Sequence, residues 1–233
     1  MRTYKGALVL LFIYLSHFGH AFGFHLFKDT QGREMEAKIT RVSGDDVYIE
    51  RRDGLSTKVK RSIFCEKDQA YIKDWAYNAL LESDFLEVRF TTKLNDKRKS
   101  SNGGIEREEY KIQYNMTLNN TSYSDLADIR VEYLILKFED LLSAPKRSQG
   151  NILRFKGSIA LEQMHQRETV TLTTELIPML ESQLEPGYIW ANGAKRSSKD
   201  KLEGIWVKIF VGDKLVREVS KPENMMRKEP WEV

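Results

Sequence analysis

Four cations gather around one predicted turn. Arg51 and Arg52 precede Asp53-Gly54 while Lys58 and Lys60 follow it, and an Asp-Gly pair between alternating segments is a strong hairpin signal. Antiparallel pairing across the turn is expected to bring the four onto neighbouring positions, where the planar guanidinium of Arg51 can grip an acidic segment or a C-terminal carboxylate. The competing reading is a solvated hairpin face whose cations offset Glu34, Glu36 and Glu50. Two more basic stretches, Lys97 to Gly104 and Ala194 to Lys199, read as turn-rich hairpin tips. They are either solvated loops or a patch facing acidic polymer or anionic lipid.

Catalysis finds less to work with. An enzyme needs a nucleophile with a base, a carboxylate pair, a metal set or a phosphate cradle. His25 and His165 are too far apart in sequence to suggest a metal set, and no HExxH, GxSxG or Walker-type loop occurs. Asp45-Asp46 sits in a predicted turn, where such pairs cap backbone amides, and Gly103-Gly104 lacks the helix that a phosphate loop requires. The lone Cys65 reads as a small buried hydrophobe and excludes an internal disulfide framework. The expectation is a protein without catalytic residues, metal or cofactor.

The N-terminus supplies a compartment. Arg2 and Lys5 precede an apolar run from Ala7 towards Phe18, and the small residues Gly19, Ala21 and Gly23 follow, the order of a cleaved secretory signal over residues 1–23. About 12 apolar residues fall short of the roughly 20 that span a bilayer. The mature chain is therefore expected to be secreted, or periplasmic in the cell envelope, with no stable membrane span. Without Arg2 and Lys5 it carries 35 basic against 34 acidic residues, too even a balance for nucleic acid.

Behind the signal the alternation has period two. Met35, Ala37 and Ile39, then Val47 and Ile49, alternate with polar residues, and Lys58-Val59-Lys60 makes a further short strand. Tyr71, Ile72, Trp75 and Ala79 share a helical face, with Glu66 and Asp68 in the first turn. The order Phe27-x-Asp29-x-x-Gly32-Arg33-x-x-x-Ala37, Val42-x-x-Asp45-x-Val47, Arg51-x-Asp53-Gly54 and Asp68-Gln69-x-Tyr71-Ile72-x-x-Trp75 resembles the Sla-type homology domain. That SH3-like barrel module occurs in a yeast endocytic adaptor and in exported proteins of planctomycete- and verrucomicrobium-like bacteria. The resemblance covers about residues 24 to 75 and implies a peptide- or protein-binding module over 24–80, without enzymatic activity. The family usually has Ser at the helix entry, where this chain has Cys65, so the helix start is expected to be loose.

Residues 85–220 read as a second all-β domain. Tyr110, Ile112, Tyr114, Met116 and Leu118 alternate with polar residues, and similar runs occur at Val131–Ile135, Leu153–Leu161, Val170–Leu172 and Ile205–Val211. Seven or eight such strands predict an antiparallel immunoglobulin-like β-sandwich, from strand count alone. Residues 221–233 read as a tail, and Trp190, Trp206 and Trp231 as core or edge-covering side chains. The fold class expected is all-β, a small SH3-like barrel with a short C-terminal helix followed by the sandwich. The function expected is a non-catalytic protein- or peptide-binding, scaffolding protein. The alternative is a carbohydrate- or envelope-polymer-binding module, which requires Trp190 and Trp206 exposed side by side. Asn115-x-Thr117, Asn119-x-Thr121 and Asn120-x-Ser122 match the N-glycosylation acceptor pattern but carry little weight in a Thr-rich strand.

Overall fold

A computed structural model describes residues 23–142, 149–190 and 193–231. The expected signal, Gly23 apart, lies outside the described residues. The fold is all-β with antiparallel sheets, and the chain divides into two compact units, Met1–Tyr77 and Asn78–Val233.

In the smaller unit, β1 (His25–Lys28), β2 (Glu34–Ser43), β3 (Asp46–Arg51) and β4 (Ser56–Lys60) form a meander in chain order. Alternation drives it: Ala37, Ile39, Val47 and Ile49 turn inward and are buried, while their polar neighbours face water. The turn between β3 and β4 needs Gly54, whose φ of 83° suits a residue without Cβ. After β4 a 3-10 turn over Arg61–Ile63 leads the chain back to β1. Phe64 bridges Asp29, the Thr30 amide donates to the Ile63 carbonyl at 2.9 Å, and the Cys65 amide donates to the Lys28 carbonyl at 2.8 Å. The free edges of β1 and β4 are thus linked through one short return segment.

Helix α1 (Glu66–Leu81) closes the core with Ile72, which is fully buried against Phe27, Phe64 and the inward strand residues. Burial of a side chain this size contributes about 1.5–3 kcal/mol. The helix start is not loose. Asp68 and Gln69 amides donate to the Cys65 carbonyl, and the Gln69 side chain donates to the Phe64 carbonyl at 2.8 Å. The Cys65 thiol donates to Asp68 rather than capping an amide, so the carboxylate takes over the tethering that a hydroxyl cap would give.

The larger unit contains β5 (Leu86–Asn102), β6 (Ile105–Asn120), β7 (Leu126–Asp140), β8 (Gly150–Met164), β9 (Thr169–Thr173), β10 (Ile177–Leu184), β11 (Ser197–Lys199), β12 (Lys201–Val211) and β13 (Lys214–Lys221). One sheet runs β11-β10-β6-β5 with β9 also on β6, and the other runs β13-β12-β7-β8. Both contribute to one apolar core: Tyr114, Met116 and Leu118 from β6 meet Val131, Tyr133 and Ile135 from β7 and Ile205, Val207 and Ile209 from β12. These are the alternating residues of the sequence pattern.

Two segments differ from expectation. Lys97 to Asn102 is not a loop but the end of β5, paired to β6 from Arg98↔Glu109 to Asn102↔Ile105, and only Gly103-Gly104 turns. Ser197–Lys199 likewise pairs with β10 as β11. The expected tail also folds back. After β13 a short helix, α2 (Met225–Lys228), buries Met225 with Leu134, Leu136 and Trp206, and Trp231 packs edge-on against Trp206 at 4.8 Å. One outer face of the second sheet is thereby covered.

Candidate functional site

The hairpin cations do not converge. In the β3–β4 ladder Lys60 stands opposite Asp46 and Lys58 opposite Tyr48, whereas Arg51 pairs with Ala37 on β2. The lysines therefore lie at the far end of the hairpin from the arginines. Each cation already has a carboxylate: Arg51 holds Asp53 at 2.9 Å, Arg52 holds Glu36 at 2.8 Å, and Lys60 and Lys58 share Asp46 at 2.6 and 3.4 Å. The Lys60 hydrogen bond outweighs desolvation and keeps the Asp46 carboxyl below its ordinary range. The sequence located the cations but not their separation: even a two-residue Asp53-Gly54 turn sets Lys58 and Lys60 opposite Ile49 and Val47, away from Arg51 and Arg52, and the Arg51–Leu55 closure moves them one position farther.

Only Arg52 joins a surface with ligand-like character. Its guanidinium, in the turn after β3, lies 5.4 Å from the Phe24 ring, and the ammonium of Lys38 on β2, itself paired with Glu50 at 2.9 Å, lies 5.8 Å from it. Phe24 is 41 % exposed and Leu26, two residues on, is 57 % exposed. An apolar patch bordered by two cations suits a segment that carries both an apolar side chain and a carboxylate.

His25, Cys65 and Asp68 also come together, which their sequence separation hid. Asp68 is 3 % exposed and accepts from His25 Nε2 at 2.9 Å, from the Lys28 amide at 2.5 Å and from the Cys65 thiol at 3.5 Å. His25 stacks on Tyr71 at 4.0 Å. The carboxylate stands between thiol and imidazole, so the imidazole is not placed as the base of a thiol nucleophile. The cluster ties β1 to α1. Among the described residues no group of three or more His, Cys, Asp or Glu side chains is placed to hold a metal ion.

In the larger unit the two basic segments of the sequence flank one sheet end. Lys97 and Lys99 on β5 reach Glu108 at 2.6 and 3.4 Å, and Lys199 on β11 reaches Glu181 at 2.8 Å. The Lys97 hydrogen bond leads the causes that hold Glu108 below the usual carboxylate range. Lys195 is not solvated either: it pairs with Asp140, both largely buried. Trp206 is 7 % exposed and donates from Nε1 to Glu218 at 3.0 Å, so it offers no open stacking platform beside Trp190. Asn120 is fully buried and holds the β6–β7 turn through the Ser124 and His165 carbonyls, which removes it as a glycan acceptor in the folded chain. Among the described residues no helix is long and apolar enough to cross a membrane.

Compared with known proteins, the chain matches no family model and no curated protein.

Proposed function

We propose that this is an exported, non-catalytic interaction protein of the cell envelope, whose small unit binds a peptide segment and whose larger unit is a scaffold. The observation that carries the reading is the Phe24 patch, with Leu26 beside it and Arg52 and Lys38 over the ring. The Arg52–Glu36 pair is exposed on both sides, and pairs of that kind hold only about 0–1 kcal/mol, so a ligand carboxylate can replace Glu36 at small cost. The return of residues 63–65 onto 28–30 supports the SH3-like barrel of the Sla-type resemblance. With β5, β6, β7, β8, β12 and β13 lettered A, B, C, C′, F and G and β9 with β10 as E, one sheet pairs A-B-E with β11 beyond E and the other pairs G-F-C-C′, which supports the sandwich reading.

The test is capture from a native cell-envelope extract, with mass spectrometry of the bound proteins. Phe24→Ala combined with Arg52→Ala is expected to weaken capture about tenfold or more, the loss of one charge-assisted contact plus one apolar anchor. Equal capture by a well-folded double variant overturns the peptide site. Export is tested apart from it: the mature N-terminus in the host is expected after Ala21 or Gly23, and a chain beginning at Met1 contradicts it.

A further inference from the structure

Residues paired across an antiparallel ladder share a face, so the sheet end can be read row by row. One row is Lys99, Glu108, Glu181 and Lys199, and its charges close on one another. The next row, on the opposite face, is Ser100, Arg107, Ser182 and Ser198, with no carboxylate; Ser100 and Arg107 are exposed, while the Ser182 and Ser198 side chains are buried beneath the face. Arg98 stands on that face two residues from Ser100. Arg196 joins them, because the Leu184 amide donates to its carbonyl at 2.8 Å and so continues the β10–β11 pairing by one more position. Arg98, Arg107 and Arg196 are all exposed, and among the described residues none forms an ion pair, although Arg196 Nη2 donates to the Glu185 carbonyl at 3.2 Å. The nearest acid in the ladder is Glu109, opposite Arg98.

Along the same face Glu109 and Lys111 of β6 are followed by amides and hydroxyls, with Lys93 and Arg89 of β5 opposite Gln113 and Thr117. Gln113, Asn115 and Thr117 of β6 lie between Thr91 of β5 and Thr171 and Thr173 of β9, with the Thr117 and Thr171 hydroxyls 3.3 Å apart. The Asn115 side-chain oxygen is buried without a hydrogen-bond partner, so the exposed Thr91, Thr171 and Thr173 are what the track presents. From Arg107 to Thr117 the track runs about 34 Å at the usual rise of a strand. These strand positions carry no aromatic ring, so the face lacks the platform on which nucleic-acid bases stack.

We propose that the exposed residues of this face bind a sulfated polysaccharide, the three arginines taking sulfate oxygens and the exposed amides and hydroxyls taking sugar hydroxyls. Forked guanidinium donors fit tetrahedral oxyanions, and amides and hydroxyls edged by Lys93 and Arg89 fit a polyol that carries negative charge. The site is independent of the Phe24 patch and does not use the tryptophans.

Binding of the full mature chain to a heparin-type sulfated polysaccharide, measured by titration calorimetry at several salt concentrations, tests it. The Arg98→Ala, Arg107→Ala, Arg196→Ala variant is expected to bind at least about tenfold more weakly and with a shallower salt dependence. Lys99→Ala, in the self-paired row, is expected to bind within about twofold of the parent. Removing the sulfate groups from the polymer is expected to abolish binding. Thr117→Val with Thr171→Val, which leaves the charges intact, is expected to weaken binding several-fold. No binding by the parent, equal binding by a folded triple-arginine variant, or tighter binding to duplex DNA or anionic lipid vesicles than to the polysaccharide overturns the proposal.

Discussion

Lys137 Nζ lies 2.7 Å from Asp200 Oδ2, and the two side chains are 5 % and 2 % exposed. Asp200 stands between β11 and β12, where one continuous stretch of chain leaves the first sheet for the second. Its carboxylate also accepts from the Leu180 amide of β10 at 2.9 Å and from the Asp140 amide at the end of β7 at 3.1 Å. A single buried acid thus binds one strand of each sheet at the corner where the strand changes sheets.

Removing that acid is expected to be worse than removing its lysine. Asp200→Ala leaves the buried ammonium only the distant Glu139 at 3.9 Å and two amides without their acceptor, a loss of about 3–5 kcal/mol for a broken buried pair. Lys137→Met keeps both amide bonds and replaces the ammonium with an apolar chain of similar length, so its cost is expected to be well below that. Urea unfolding of the two variants decides it, and equal losses contradict this account.

Asp68 makes the smaller unit sensitive to acid. Burial by itself raises its carboxyl, but the His25 hydrogen bond, then the Lys28 amide and the Cys65 thiol, reverse this and leave it below the ordinary 3.8. A carboxyl depressed in the folded state binds protons less readily than in the unfolded chain. Its contribution is therefore fully present above 3.8 and lost as pH falls through the folded value. Asp68→Asn is expected to cost about 1.5–3 kcal/mol at neutral pH, as for hydrogen bonds to a charged group. The gap between parent and variant is expected to close as pH drops below 3.8. A gap that stays constant into that range contradicts the role.

Where one side of a strand faces the core, the sequence pattern was enough. On β6 every second residue from Tyr110 to Leu118 is turned into the core, wholly or half buried, and the alternation alone marks it. At the far end of β5 both faces are polar, because residues 97–102 extend past the apolar core, so no period survives and the stretch reads as a loop. What holds it is the cross-strand bonding of Lys97 and Lys99 to Glu108, a property of two strands together. Arg107 was hidden for the same reason: among Glu106, Glu108 and Glu109 it looks neutralised, yet Glu106 and Glu108 point to the opposite face and of the three only Glu109 shares its own. Asp200 and Asp68 find their partners at sequence distances of 60 and 43 residues, which no local pattern reports.

Gly157 is placed under an aromatic ring. It stands opposite Tyr133 in the β7–β8 ladder, and a Cβ there would lie 2.2 Å from the Tyr133 hydroxyl oxygen and 2.3 Å from Cζ. Tyr133 is 5 % exposed, and its hydroxyl accepts from the Glu175 amide at 3.3 Å, so the ring has little freedom to retreat. Gly157→Ala is expected to destabilise the larger unit by about 1–3 kcal/mol through overpacking. Pairing it with Tyr133→Ala removes the clash, so the double variant is expected to lose less than the sum of the two single losses. Strict additivity in thermal unfolding contradicts the contact.

Tyr114 sets an alkaline limit. It faces the core from the middle of β6, is 6 % exposed, and burial pushes its phenol from 10.0 up to about 12. The folded chain therefore keeps this proton over a range in which the unfolded chain has released it. Because the unfolded state then binds fewer protons than the folded state, stability falls as pH rises between those two values. Tyr114→Phe removes the titration while keeping the ring. The variant is expected to lose less stability than the parent between pH 10.0 and about 12. The variant keeps a residual slope, because burial also raises Tyr110 and Tyr133. Phenolate absorbance followed through an alkaline titration, beside urea unfolding at each pH, measures both quantities. A Tyr114 that ionises with the exposed tyrosines, or a variant whose stability falls as steeply as that of the parent, contradicts the burial account.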